Sequence, residues 1–142
     1  MEWRAIKPLT SDTVIEEFEE YIGYRFSDTF KEFIRAYNGG KPSHKVFNTK
    51  KTRERVFNDL LSFNREDQNN IWLMNDRKGF MSDWNKDGMM EKYVVFAEDA
   101  FGNLICFDIS DNSIVLIDHE NKEAEYISAS FEKFIKGLKK LT

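Results

Sequence analysis

Three short apolar runs, Val94-Val95-Phe96, Leu104 to Ile109 and Ile114 to Ile117, follow one another closely. Only Asp99-Ala100-Phe101-Gly102-Asn103 and Asp111-Asn112-Ser113 separate them. β-Branched and aromatic residues favour strands, and connectors this short demand antiparallel hairpins. Alternation puts Ile105, Phe107 and Ile109 on one face and Leu104, Cys106 and Asp108 on the other. Likewise Ile114, Leu116 and Asp118 oppose Val115, Ile117 and His119. Both faces carry apolar groups, so the sheet needs cover on most of both sides, and helices are the obvious cover.

The helices are legible from their periodicity. Val14, Phe18, Tyr21 and Ile22 recur at helical spacing after a capping Ser11 or Asp12, and Gly23 supplies a left-handed stop. Ser27 opens a second helix with Phe30, Phe33, Ile34 and Tyr37 on one stripe, Thr29 and Glu32 at capping-box spacing, and Asn38-Gly39-Gly40 before Pro42 at its end. A final helix starts at Ser128 or Ser130 and turns Phe131, Phe134, Ile135, Leu138 and Leu141 to the core, with Lys136, Lys139 and Lys140 near its negative end. Val46-Phe47, Val56-Phe57, Leu60-Leu61 and Phe63 read as strands, with Lys50 to Arg55 as their turn. The stretch from Gln68 to Asp83 mixes helix and irregular signals. Trp3 and Ile6 are expected to pack onto the domain from a lead-in segment. The order predicts an α+β fold over residues 1–142, a single domain. Its antiparallel sheet of about five or six strands carries the N-terminal helices and a C-terminal helix packed on it.

Composition allows such a core. With 142 residues, 41% of them hydrophobic, and 13 phenylalanines, the chain has enough apolar area for one domain even though 32% is charged. No apolar run approaches the ~20 residues that cross a bilayer, and the first dozen residues lack a secretory pattern, so a cytoplasmic location is expected. The single cysteine, Cys106, excludes an internal disulfide and sits in an apolar strand, the usual home of an inert thiol.

Charge is unevenly spread. Lys41, Lys45, Lys50, Lys51, Arg53 and Arg55 stand against Glu54 alone, whereas Tyr93 to Asn121 has no lysine or arginine but holds Glu98, Asp99, Asp108, Asp111, Asp118 and Glu120. Acidic loops repel phosphates and attract basic proteins, which argues against direct nucleic-acid binding and for a basic protein partner. The same acids could instead hold a cation, but their spacing matches no EF-hand or zinc motif, and Asp99 suits a turn in which Gly102 or Asn103 takes a positive φ. His119 follows Asp118 directly in a strand, so the two point apart and form no simple catalytic pair. Gly39-Gly40 follows a helix rather than leading into one and is no phosphate loop.

Four segments in order also resemble a known family. IEEFEEYIGYRFSDTFKEFIRAYNGGKP (15–42) is similar to the N-terminal signature of the Smi/Knr-type branch of the SUKH superfamily. FAEDAFGNLICFD (96–108) is similar to its second signature, and VLIDHE (115–120) and SFEKFIKGLKKL (130–141) to its remaining landmarks. Arg25-Phe26-Ser27 stands where members often have Leu-Pro, and Val94-Val95-Phe96 where many have Pro-Phe or Pro-Ile. The resemblance implies a non-catalytic protein-binding module without cofactor. In bacteria such proteins are immunity factors that neutralise a toxin, commonly a nuclease, and in fungi they are scaffolds in cell-wall signalling. The reading that follows is a cytoplasmic immunity protein whose partner, a basic nuclease toxin domain, meets Glu98, Asp99, Asp108, Asp118, His119 and Glu120. In it Asn38, Gly39, Gly40, Gly102 and Asn103 are structural. A regulatory scaffold and a metal-dependent hydrolase using the acidic cluster are the alternatives.

Overall fold

The two apolar hairpins form the middle of a larger sheet. The computed structural model of the chain describes residues 1–141, and Thr142 of the expected domain lies outside the described residues. In chain order the elements are β1 (Trp3–Arg4), α1 (Val14–Ile22), α2 (Asp28–Tyr37), β2 (Lys41–Pro42), β3 (Val46–Phe47), β4 (Arg55–Leu60) and α3 (Ile71–Met74). A kinked 3-10 stretch (Lys86–Lys92) leads into β5 (Tyr93–Asp99), β6 (Leu104–Asp108), β7 (Ile114–Ile117), β8 (Ala124–Ser128) and α4 (Phe131–Lys136). Strands β3 to β8 make one six-stranded antiparallel sheet in sequential order, while β1 and β2 pair separately. The α+β architecture is the one the sequence predicts.

Leu104–Phe107 and all of β7 are buried, so both sheet faces are covered. On one face the cover is helical. Phe30 of α2 meets Phe107 and Phe131 edge-on, with centroids 5.1 and 4.9 Å apart, in the geometry that aromatic quadrupoles favour. Ser27 caps α2 as expected, accepting from the Phe30 N–H at 3.2 Å. The other face, which holds Cys106, is covered differently. Met81, Met90 and the half-buried Trp84 join the core from the irregular stretch after α3.

That stretch can lie against the sheet because β4 pairs only with the second half of β5. Along the first half, the Asn75 side chain takes the place of a strand: its amide donates to the Val95 carbonyl and its oxygen accepts from the Val95 N–H, both at 2.9 Å. Buried backbone groups need partners, and here side chains provide them.

A second buried amide joins the N-terminal lead-in to the centre. Asn38, 1% exposed, donates to the Lys7 carbonyl at 2.7 Å and the Ser62 hydroxyl at 3.0 Å and accepts from the Phe63 N–H at 2.9 Å. Ser62 in turn donates to Asp67, which also accepts from Asn64, itself bonded to Thr10 and Pro8. Gly40 must be glycine for steric reasons, since a Cβ there would lie 2.8 Å from the Tyr37 carbonyl and 3.2 Å from the Trp3 ring. The Asn-Gly-Gly motif is therefore a joint of the fold.

Several local expectations need correction. Helix α1 starts after Thr13, which makes no side-chain cap, and its buried face is Val14, Ile15, Phe18 and Glu19, leaving Tyr21 54% exposed. Glu19 takes that inward place because it accepts from the Phe26 N–H at 2.8 Å and pairs with Lys31 at 3.0 Å. Ile6 is exposed, and Phe63 lies beyond β4 in irregular chain. Helix α4 is capped by Ser130 and ends at Lys136, because the chain then turns so that Lys139 bridges Val46; Leu138 stays buried and Leu141 faces solvent. Strand β8 is not among the strands predicted above; its Glu125 is held inside because its carboxylate accepts from the Thr49 and Thr52 hydroxyls at 2.7 and 2.9 Å.

Replacing Asn38 by alanine strands the Phe63 N–H and the Lys7 carbonyl in the interior. The Asn38→Ala protein should lose about 3 kcal/mol of stability, read from urea denaturation midpoints at unchanged slope.

Candidate protein-binding surface

In a strand meander, alternate turns lie at opposite ends of the sheet. The 99–103 and 118–123 turns share one end with the 48–54 loop that precedes β4, whereas the 108–113 turn lies at the other, about 16 Å away along β6. The six residues singled out from the sequence thus do not meet in one patch. Glu98, Asp99, Asp118, His119 and Glu120 gather at one end, and Asp108 stands at the opposite end with Asp111 and Tyr24. There, burial and then the charges of Asp108 and Asp111 push the Tyr24 hydroxyl up to about 12.

At both ends the aspartates build turns. Asp99, 3% exposed, accepts from the Phe101 and Asn103 N–H groups at 2.9 and 2.8 Å and from the Asn103 amide at 2.7 Å. Asp108 accepts from the Ser110 N–H at 2.9 Å, and Asp118 from the Glu120 N–H at 2.8 Å. This is the side-chain-to-backbone bond with which Asp mimics a backbone turn. The Glu120 N–H, with smaller help from the Asn121 N–H and Arg55, holds the Asp118 carboxyl below the usual range. Gly102 completes the first turn at φ 85°, which other side chains resist. Asp99 is consequently buried in its own turn and is not displayed to a partner.

Asn103 carries this order to the next turn. Its amide donates to Asp99, so its oxygen accepts from both the backbone N–H and the ring Nδ1–H of His119, at 2.9 and 2.8 Å. That bond fixes the ring orientation and leaves Nε2 toward solvent, where it lies 3.8 Å from Glu120.

The stretch from Tyr93 to Asn121 holds no cation of its own, yet it is not a continuous negative surface. Arg55 lies 3.4 Å from Asp118 and 3.3 Å from Glu125, Lys51 reaches Glu123 at 3.6 Å, and Lys122 sits 4.3 Å above the Trp84 ring while donating to the His119 carbonyl. The basic stretch thus folds onto the acidic one, a pairing of distant segments that no local window reveals. At its tip this end presents Phe101, 65% exposed on the ordered turn, with His119 and Glu120 beside it, while the neighbouring 48–54 loop exposes Lys50, Lys51, Arg53 and Glu54. Exposed Phe101 was within the quoted motif, but only the turn geometry shows that its ring points outward.

Among the described residues no group of three His, Cys, Asp or Glu side chains could hold a metal ion, and no helix is long and apolar enough to cross a membrane. Cys106 is fully enclosed, and burial pushes its thiol up.

Behind the first turn, Asp59 and Glu98 are direct partners across β4 and β5, two like charges side by side. Burial, and for Glu98 also the charges of Asp59 and Asp99, raises both carboxyls above their usual range, with Lys41 opposing. A carboxyl that holds its proton more tightly when folded penalises the fold above its folded pKa, and the penalty fades as pH falls toward the unfolded value near about 4. Asp59→Asn should therefore raise the thermal midpoint near neutral pH, with the gain over wild type shrinking as pH falls to about 4.

Two comparisons bear on this arrangement. The SPbeta prophage-derived uncharacterized protein YokK of Bacillus subtilis (strain 168) is 25% identical over 149 residues, covering 92% of this chain and 75% of that protein. The SMI1 / KNR4 family (SUKH-1) matches residues 9–137. Since that match takes in everything from α1 to α4, both hydrogen-bonded turn motifs included, the chain belongs to the SMI1 / KNR4 family (SUKH-1).

Proposed function

We propose that this chain is a non-catalytic immunity protein of the cytoplasm that binds and neutralises a toxin domain, and that the toxin is a nuclease. The match over residues 9–137 carries this reading, because domains of the family generally serve as immunity or regulatory proteins that bind other proteins. The prophage origin in the name of the Bacillus subtilis relative agrees with a role in conflict between cells. Physical chemistry supports the nuclease: such an enzyme needs a basic cleft for phosphates, and a chain with net charge -4 is drawn to one.

The docking surface in this reading is the sheet end where Phe101, His119 and Glu120 face solvent. An aromatic side chain on a turn already ordered by Asp99 and Asn103 loses little freedom on binding, which is what an interface anchor requires. Glu98 and Asp118 lie behind this rim, Asp99 and Asn103 hold it in shape, and Asp108 adds to the long-range field from the other end.

Coexpression with nuclease toxin domains encoded beside its gene should restore growth and yield a stoichiometric complex. In that complex Glu120→Lys should slow association about ten-fold and weaken its salt dependence, and Phe101→Ala should speed dissociation about ten-fold or more. Neither exposed substitution should move the thermal midpoint. Failure of both protection and complex formation defeats the reading; a complex indifferent to both substitutions moves the contact elsewhere.

A further inference from the structure

At the sheet end remote from Phe101, a crevice of about 300 Å³ opens between the last turn of α1 and the chain that follows α3. Three polar side chains on its walls are already occupied. Asp76 accepts from the Gly79 and Phe80 N–H groups, the Asn75 amide is bound to Val95, and Asn85 accepts from Met90. Arg77 differs from them. It is half-buried, donates from Nη2 to the Tyr93 carbonyl, and encloses an Nε without a partner. No carboxylate among the described residues lies within ion-pair distance of it. A partly desolvated guanidinium with no carboxylate in contact is costly, and a bound carboxylate relieves that cost.

The rim beside this cation is apolar. The Tyr21 ring lies 5.3 Å from Trp72, whose ring also meets Phe18 edge-on at 5.2 Å and carries the Arg65 guanidinium at 3.6 Å, and the following residue, Leu73, is 40% exposed. Lys78 adds a second exposed cation. One carboxylate with an apolar neighbour fits this combination, and a free small acid would leave the shelf unused.

We propose that the crevice binds the side-chain carboxylate of an Asp or Glu on a protein partner, with Arg77 as its counter-charge and the residue next to it lying on the Tyr21-Trp72-Leu73 shelf. Burial lowers the Arg77 pKa while Glu91 and Tyr21 oppose that shift, as expected of a cation whose surroundings lack full compensation. Glu91, exposed and also lining the crevice, repels an incoming carboxylate and competes with it for Arg77. The site stands apart from the Phe101 end and does not depend on what binds there.

The test is an NMR titration with N-acetyl-Phe-Glu-amide, N-acetyl-Phe-Gln-amide and acetate, following the Trp72 indole and the Arg77 Nε–H. The Glu peptide should give saturable shifts and bind about ten-fold tighter than the Gln peptide or acetate. Arg77→Gln should make the two peptides equal, Glu91→Gln should tighten the Glu peptide about three-fold, and Tyr21→Ala, at an exposed position, should weaken the peptide but not acetate. Equal binding of the two peptides by the wild-type protein overturns the proposal, and that comparison needs no variant to fold. Acetate binding as tightly as the Glu peptide, or an Arg77→Gln protein that still prefers Glu, overturns it as well.

Discussion

Five asparagines, Asn38, Asn64, Asn70, Asn75 and Asn103, are buried, and each bonds to backbone that would otherwise be stranded inside. A primary amide can donate and accept at once, so it substitutes for a peptide group where no strand or helix is available. The fold depends on this because a meander apolar on both faces needs two covers, and only one of them is helical. The second is irregular chain, and irregular chain can be buried only if its polar groups are matched.

The same logic explains what could be read from the sequence. The stripe of Phe30, Phe33, Ile34 and Tyr37 and the runs Leu104 to Phe107 and Ile114 to Ile117 announce themselves through period, because their partners are many and interchangeable. Glu19, Glu125 and Asp99 do not. Each is a carboxylate placed inside by a few specific donors: Phe26 and Lys31 for the first, Thr49, Thr52 and Arg55 for the second, and the 101–103 turn for the third. Such positions follow from contacts tens of residues apart, so β8 escaped detection and the basic and acidic stretches looked independent. The turn role of Asp99 was legible, because its donors are only two and four residues away; its burial was not.

The residues that carry the family likeness are therefore the ones the fold consumes. Asn38, Gly39 and Gly40 join the lead-in to the core, and Asp99, Gly102 and Asn103 shape a turn whose only large outward group is Phe101. Likeness at these positions speaks for architecture, and in the proposed reading the choice of partner rests on side chains that the architecture leaves free at the surface, such as Glu120 and Phe101.

The two outermost strands are both engaged on their open sides. The free side of β8 receives the Lys50 N–H at the Tyr126 carbonyl, and β3 exchanges bonds with Lys139 after α4. Open sheet margins are templates for stacking one copy onto another, and here both are blunted by the chain's own loops. A protein sealed in this way can accumulate to high concentration without polymerising through its strands, which suits the proposed role, in which the molecule stands in stock before its target arrives.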